Sequence, residues 1–240
     1  MPNTLHSAIP DMSIQSNLSN IDYKSLVESG MYIDKTSCLE LIEFFKCASL
    51  FRPKGFGKTL LLSTMRYYFD YKFENQFDEL FKGTYVHDNP SPARNSYSVL
   101  LFDFSRIKPD VDEKVCSEMS AEAERAIKAF LDENKYELHE KIDYSTVPAM
   151  ILDQLFSLVK LEHPIYLLID EYDHFIDPLR PDQRSPGFLS NFFEIIKDYT
   201  PSSDILKRIF FTGTRRHKLG SFDIAANLDH YSEKYPVLLS

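Results

Sequence analysis

Cysteine is scarce in this chain: Cys38, Cys47 and Cys116 are the only three among 240 residues, an odd number in no paired spacing. That excludes a disulfide framework and a structural zinc site, and it fits a reducing compartment. No apolar run approaches the roughly 20 residues that cross a bilayer, which excludes a membrane-spanning helix. Positions 1–20 lack a basic stretch followed by an apolar one, so they do not read as a secretory signal. The expectation is a cytoplasmic protein with no membrane partner. An excess of positive charge is missing too. The formal net charge of −9 argues against broad adhesion to nucleic acid or anionic lipid. The histidines form no ligand-spaced cluster, and there is no internal repeat or low-complexity tract.

What the chain does have is apolar content, 43% of its residues, enough for a substantial core in one large domain or one domain with appendages. Residues 1–20 are rich in Ser, Asn and Pro and are expected to be a poorly ordered lead-in to a domain over residues 21–240. Short apolar runs with β character, at Ala48–Phe51, Ser98–Phe104, Ile165–Asp170 and Arg208–Thr212, alternate with helical patterns. The helices are expected at Asp22–Ser29, from Thr36 through Phe45, Lys58–Tyr71, Phe73–Phe81, Glu113–Asn134, Thr146–Leu161 and Phe188–Tyr199. Gly30 would close the first helix and Thr36 would cap the second. Strands alternating with helices predict an α/β three-layer sandwich around a mostly parallel sheet.

Two stretches carry the chemistry. Arg52-Pro53-Lys54-Gly55-Phe56-Gly57-Lys58-Thr59 lies between an apolar run and a helical pattern, where a phosphate-binding loop must lie. Gly57 would let the backbone approach an anion closely, Lys58 would reach phosphates, and Thr59 would offer a hydroxyl to magnesium. Arg52 stands where such loops carry Gly, and could either add charge near the phosphates or pair with an acid. In the second stretch, Ile165-Tyr166-Leu167-Leu168-Ile169 delivers Asp170 and Glu171 at a strand end. Asp170 would hold magnesium and Glu171 would orient or deprotonate water. Together the two stretches make the halves of a nucleoside-triphosphatase site. Asp173 could cap the following turn or support the metal. Thr212 and Thr214 could turn hydroxyls toward a terminal phosphate, and Arg215 or Arg216 could neutralise charge there; the alternative is a strand end facing solvent.

Lys207-Arg208 and Arg215-Arg216-His217-Lys218 form the densest positive cluster. It reads as solvated surface with a strand-end phosphate contact, and nucleic-acid binding is the alternative.

These stretches resemble the bacterial AAA-ATPase-like family, a branch of the P-loop ATPases with an additional central strand and a catalytic glutamate. The matching segments are Tyr32-Ile33-Asp34-Lys35-Thr36, Arg52 through Leu60, Leu80-Phe81-Lys82-Gly83, Tyr97 through Phe104, Leu168 through Asp173, and Phe211-Thr212-Gly213. The Arg-Pro opening of the loop is characteristic of that family. The resemblance implies ATP and magnesium as cofactors, bound by Lys58, Thr59 and Asp170, with Glu171 as the hydrolytic carboxylate. It draws Arg52, Gly55, Phe56, Gly57 and Leu60 into the nucleotide-binding set, and places Tyr32 and Lys35 near the base. It also implies that the strand at 208–212 lies between those ending at Phe51 and Asp170. Family members usually continue into a helical lid, and many into a nuclease domain, whereas the sequence here ends at Ser240. Thr214-Arg215-Arg216-His217 stands where small polar residues are usual. The expectation is a slow ATPase that couples its nucleotide state to a protein partner or to self-association. Two alternatives stand beside it: a nucleotide-binding module without turnover, and a nucleic-acid-associated ATPase working with a separate nuclease.

Overall fold

The computed structural model describes residues 22–108, 112–176, 186–200, 204–217 and 226–227. In chain order the elements are α1 (Tyr23–Glu28), α2 (Cys38–Glu43), β1 (Cys47–Phe51), α3 (Lys58–Phe69), α4 (Phe77–Phe81), α5 (Tyr85–Asp88), β2 (Ser98–Asp103), α6 (Asp112–Glu133), α7 (Pro148–Leu158), β3 (Ile165–Asp170), α8 (Gly187–Tyr199), β4 (Leu206–Gly213) and β5 (Ala226–Asn227). The strands form one sheet in the order β2-β3-β4-β1-β5, and every pairing is parallel.

The strands are mainly apolar along their middles because both faces of the sheet are covered. Side chains alternate across a strand, and here successive residues enter different cores. Ile165, Leu167 and Ile169 of β3 and Ile209 and Phe211 of β4 join the cluster under α6, α7 and α8. Tyr166, Leu168 and Phe210 join the opposite cluster with α1, α2, α3 and α4. The three layers expected from the sequence are therefore present. The long helix α6 buries Val115, Met119, Ala123, Ala126, Ile127 and Phe130, the 3–4 spacing of one helical face.

The order of the strands fixes the functional edge. β4 lies between β1 and β3, as expected, with Phe51 in register with Gly213 and Asp103 with Asp170. The carboxyl ends of four strands thus share one rim, the usual place for ligands in open α/β sheets.

Several boundaries differ from the sequence reading. The stretch Phe73–Phe81 divides into a 3₁₀ segment, Tyr71–Gln76, and α4. The Asp70 side chain accepts from Lys72 N–H and starts the tighter turn. Thr36 does not cap α2. Its hydroxyl accepts from Val86 N–H at 3.2 Å, tying the Tyr32–Thr36 segment to α5. Helix α7 begins at Pro148 rather than Thr146, because a proline suits the first helical position and lacks only an N–H that would be unpaired there. Gly30 follows α1 with φ +69°, the left-handed turn expected of it. The expected lead-in at 1–20 lies outside the described residues. Among the described residues no helix is long and apolar enough to cross a membrane.

Candidate nucleotide-binding site

The loop after β1 leaves the sheet rim and enters α3 through Gly57, which adopts φ +74° ahead of Lys58. A side chain is rarely accommodated at that φ, and glycine at Gly55, with φ +83°, meets the same demand. Lys58 is almost fully buried despite its charge. Its ammonium has three donors and three partners: Arg52 O at 2.8 Å, Pro53 O at 3.2 Å, and Glu171 Oε1 at 2.8 Å. The two motifs, more than a hundred residues apart, are thus joined by an ion pair at the rim.

The Asp-Glu pair is positioned by β4. Thr212 is wholly buried; its hydroxyl donates to Asp170 Oδ1 and accepts from Glu171 N–H at 3.2 Å. Tyr172 N–H donates to Thr212 O at 2.9 Å. Glu171 itself has φ +53°, a conformation that costs a non-glycine residue roughly 1–2 kcal/mol. These bonds from β4 hold that turn, which folds the carboxylate back onto Lys58. Glu171 Oε2 is buried and has no hydrogen-bond partner. Thr59 Oγ1 donates to Asp170 Oδ2 at 2.6 Å. Burial raises the Asp170 carboxyl above its usual range; the hydroxyls of Thr212 and Thr59 pull it back, and the Glu171 and Asp103 carboxylates push it further up. Asp103, within the apolar run Ser98–Phe104, is in register with Asp170.

Two cavities flank the loop. One, of about 280 Å³, is lined by Tyr32, Lys35, Phe56, Gly57, Leu60 and Thr64, with other apolar side chains including Leu61 and Cys38. Tyr32, Lys35, Phe56 and Leu60, all expected near the nucleotide, therefore meet in one place. The Tyr32 ring packs edge-on against Tyr23 at 4.7 Å, and burial pushes its phenol up to about 12. Leu61 and Thr64 were not anticipated at the cavity, although Thr64 lies on α3 one turn beyond Leu60 and Leu61 directly follows it. The second cavity, also about 280 Å³, lies on the other side, lined by Lys54, Glu171, Asp173, His174, Thr214, Arg215 and His217 among others.

The residues after β4 are arranged differently from the open hydroxyl array considered above. Asp173, 5% exposed, accepts from Thr214 N–H at 2.9 Å, Thr214 Oγ1 at 2.7 Å and Arg215 N–H at 2.9 Å. It caps the turn after β4. The Thr212 and Thr214 hydroxyls are engaged by carboxylates, while Arg215 is exposed beside the second cavity. Arg52 donates from Nη1 to Phe51 O and from its backbone to Gly213 O. Lys207-Arg208 and Arg215-Arg216 do not share a face. Arg208 reaches Tyr97 and the carbonyls of Glu43 and Phe45 at the opposite end of the sheet, and about 3.3 Å per residue puts it roughly 17 Å from Gly213. Lys218 lies outside the described residues.

Residues 19–222 match a protein family described as a predicted AAA-ATPase. No curated protein shows significant similarity to the chain.

Proposed function

The chain belongs to the AAA-ATPase-like family, and from that premise we propose that it binds ATP with magnesium across the β1–β4–β3 rim and hydrolyses the terminal phosphate. One observation carries the reading: at the start of a helix a buried lysine ammonium lies 2.8 Å from the Glu171 carboxylate, and an exposed threonine hydroxyl lies 2.6 Å from the buried Asp170 carboxylate. The donor set suits the ligands. Asp170 and Thr59 are hard oxygen donors, and no group of three His, Cys, Asp or Glu that could hold a metal occurs among the described residues. Magnesium is commonly held in this way, by one or two protein oxygens and by phosphate, rather than by an all-protein cage. The apolar cavity at Phe56 and Leu60 suits a base, and the polar one at Glu171 suits the far end of a triphosphate.

In this reading Lys58 exchanges Glu171 for phosphate oxygens, assisted by the loop N–H groups and the positive end of α3. Thr59 and Asp170 would hold the magnesium ion. Magnesium, when bound, neutralises charge on the phosphates as the terminal bond breaks. Glu171, released from Lys58, orients a water in the second cavity and takes its proton on a carboxylate oxygen. Thr212 holds the Asp170 carboxylate and the Glu171 backbone in place rather than meeting phosphate itself. Arg215, which lines the second cavity with Glu171, would neutralise charge on the departing phosphate group.

Calorimetric titration of ATP, paired with a phosphate-release assay, tests the reading. Saturable ATP binding with phosphate release supports it, and a folded chain that binds no ATP contradicts it.

A further inference from the structure

The exposed Arg215 side chain grows from a backbone that is unusually well held. Its N–H donates to Asp173 Oδ2 at 2.9 Å, and its carbonyl accepts from Tyr172 Oη at 2.8 Å. The same phenol oxygen accepts from His217 N–H at 2.8 Å. Tyr172 is fully buried, its ring packed between Phe51, Phe193 and Phe211 at centroid distances of 5.9, 6.1 and 5.2 Å. A ring so enclosed has little freedom to turn, so the loop it holds is fixed to the core. Gly213 completes the contact: a Cβ there would lie 2.5 Å from the Tyr172 ring and 2.6 Å from Asp173 Oδ1.

Tyr172 and Asp173 directly follow Glu171. The turn that carries the candidate water-activating carboxylate therefore also grips the backbone of the one described arginine, Arg215, lining the same cavity. A loop needed only to connect strands could leave solvent to satisfy its N–H groups; here two buried side chains satisfy them.

We propose that Tyr172 and Asp173 are positioning residues that lock Arg215 to Glu171, so that the chain carries its own arginine for the transferring phosphoryl group. This rests on the ATPase reading above. An arginine in that role contributes about 10³–10⁵-fold to turnover, and a displacement near 1 Å at such a site can cost about 10²-fold. The lock would maintain the placement within a single chain.

The test is a double-variant cycle of Tyr172→Phe with Arg215→Ala, read in two ways. One readout is kcat and the ATP dissociation constant. The other is the affinity for ADP with aluminium fluoride, a stand-in for the transferring phosphoryl group, relative to ADP alone. Tyr172→Phe removes only the hydroxyl and keeps the ring in its aromatic socket. We expect Arg215→Ala to cut kcat about 10³-fold and Tyr172→Phe about 10- to 100-fold, with ATP affinity changed less than about twofold. Both should lose the extra affinity that aluminium fluoride gives ADP, and Tyr172→Phe should add nothing in the Arg215→Ala background. Asp173→Asn, which keeps one acceptor oxygen, repeats the comparison should Tyr172→Phe unfold. Full additivity of the two substitutions, or an Arg215→Ala variant that retains wild-type turnover and aluminium fluoride affinity, overturns the lock while leaving the ATPase reading intact. A wild-type chain with neither turnover nor ADP binding removes both.

Discussion

Replacing Glu171 with Gln should tighten ATP binding while stopping hydrolysis. In the ligand-free arrangement the Lys58 ammonium is saturated by two loop carbonyls and Glu171 Oε1, at 2.8, 3.2 and 2.8 Å. Phosphate can gain Lys58 fully only by displacing one of them, and the carboxylate is the partner that can swing away. The side chains are 3% and 12% exposed, so the pair is little screened, and a hydrogen bond to a charged partner contributes about 1.5–3 kcal/mol. Gln keeps an acceptor oxygen but loses the charge, so roughly half of that is released to the ligand. At 1.4 kcal/mol per decade, ATP affinity should rise about tenfold. The loss of a proton acceptor should cut turnover by about 10²-fold or more. Calorimetry with ATP measures the first effect, and phosphate release the second. An unchanged or weakened affinity would refute the competition between Glu171 and phosphate for Lys58. Parent-level turnover would remove Glu171 from the chemistry.

Lys58→Ala should do more than abolish ATP binding, because it leaves the Glu171 carboxylate buried and unpaired at a cost of about 3–5 kcal/mol. Its unfolding temperature should fall by about 6–20 °C and recover in the Lys58→Ala/Glu171→Gln double variant; equal melting of the two would contradict the buried pair. Phe56→Ala, at a position 62% exposed beside the apolar cavity, should weaken ATP about tenfold yet leave tripolyphosphate affinity unchanged, and equal losses for both ligands would place the base elsewhere. Burial holds the His217 imidazole below its ordinary value of about 6.5, helped by Arg215 and opposed by Asp173. The unfolded chain then binds the extra proton first, so this contribution to stability is present above about 6.5 and lost as pH falls through the lower folded value. Chemical denaturation of wild type against His217→Asn between pH 7.5 and 5 should show a steeper acid loss in wild type; parallel curves would mean that folding does not lower the proton affinity of His217.

The sheet was readable in advance because covering it on both faces makes each strand a short apolar run, and because β-branched, leucine and phenylalanine residues crowd Ile165–Ile169 and Ile209–Phe211. Lys58, Thr59, Asp170 and Glu171 were readable because each occupies a fixed offset from a strand end. Contacts across the fold were not. Asp173 has partners 41 and 42 residues away, at Thr214 and Arg215, and nothing beside it in the chain distinguishes capping that turn from serving a metal. Basic residues that look like one cluster separate because β4 runs between them. The paired segment Ala226–Asn227 is two residues long and exists by adding to β1 at Ala48 and Ser49, a length too short to leave a period.

Single-turnover conversion of ATP at stoichiometric protein, with magnesium present, tests the central claim most directly. The wild-type chain is expected to convert bound ATP to ADP and phosphate, while Glu171→Gln, compared at matched occupancy, holds ATP intact. ATP that binds but stays unhydrolysed in the wild type, or is hydrolysed equally by both proteins, would contradict it.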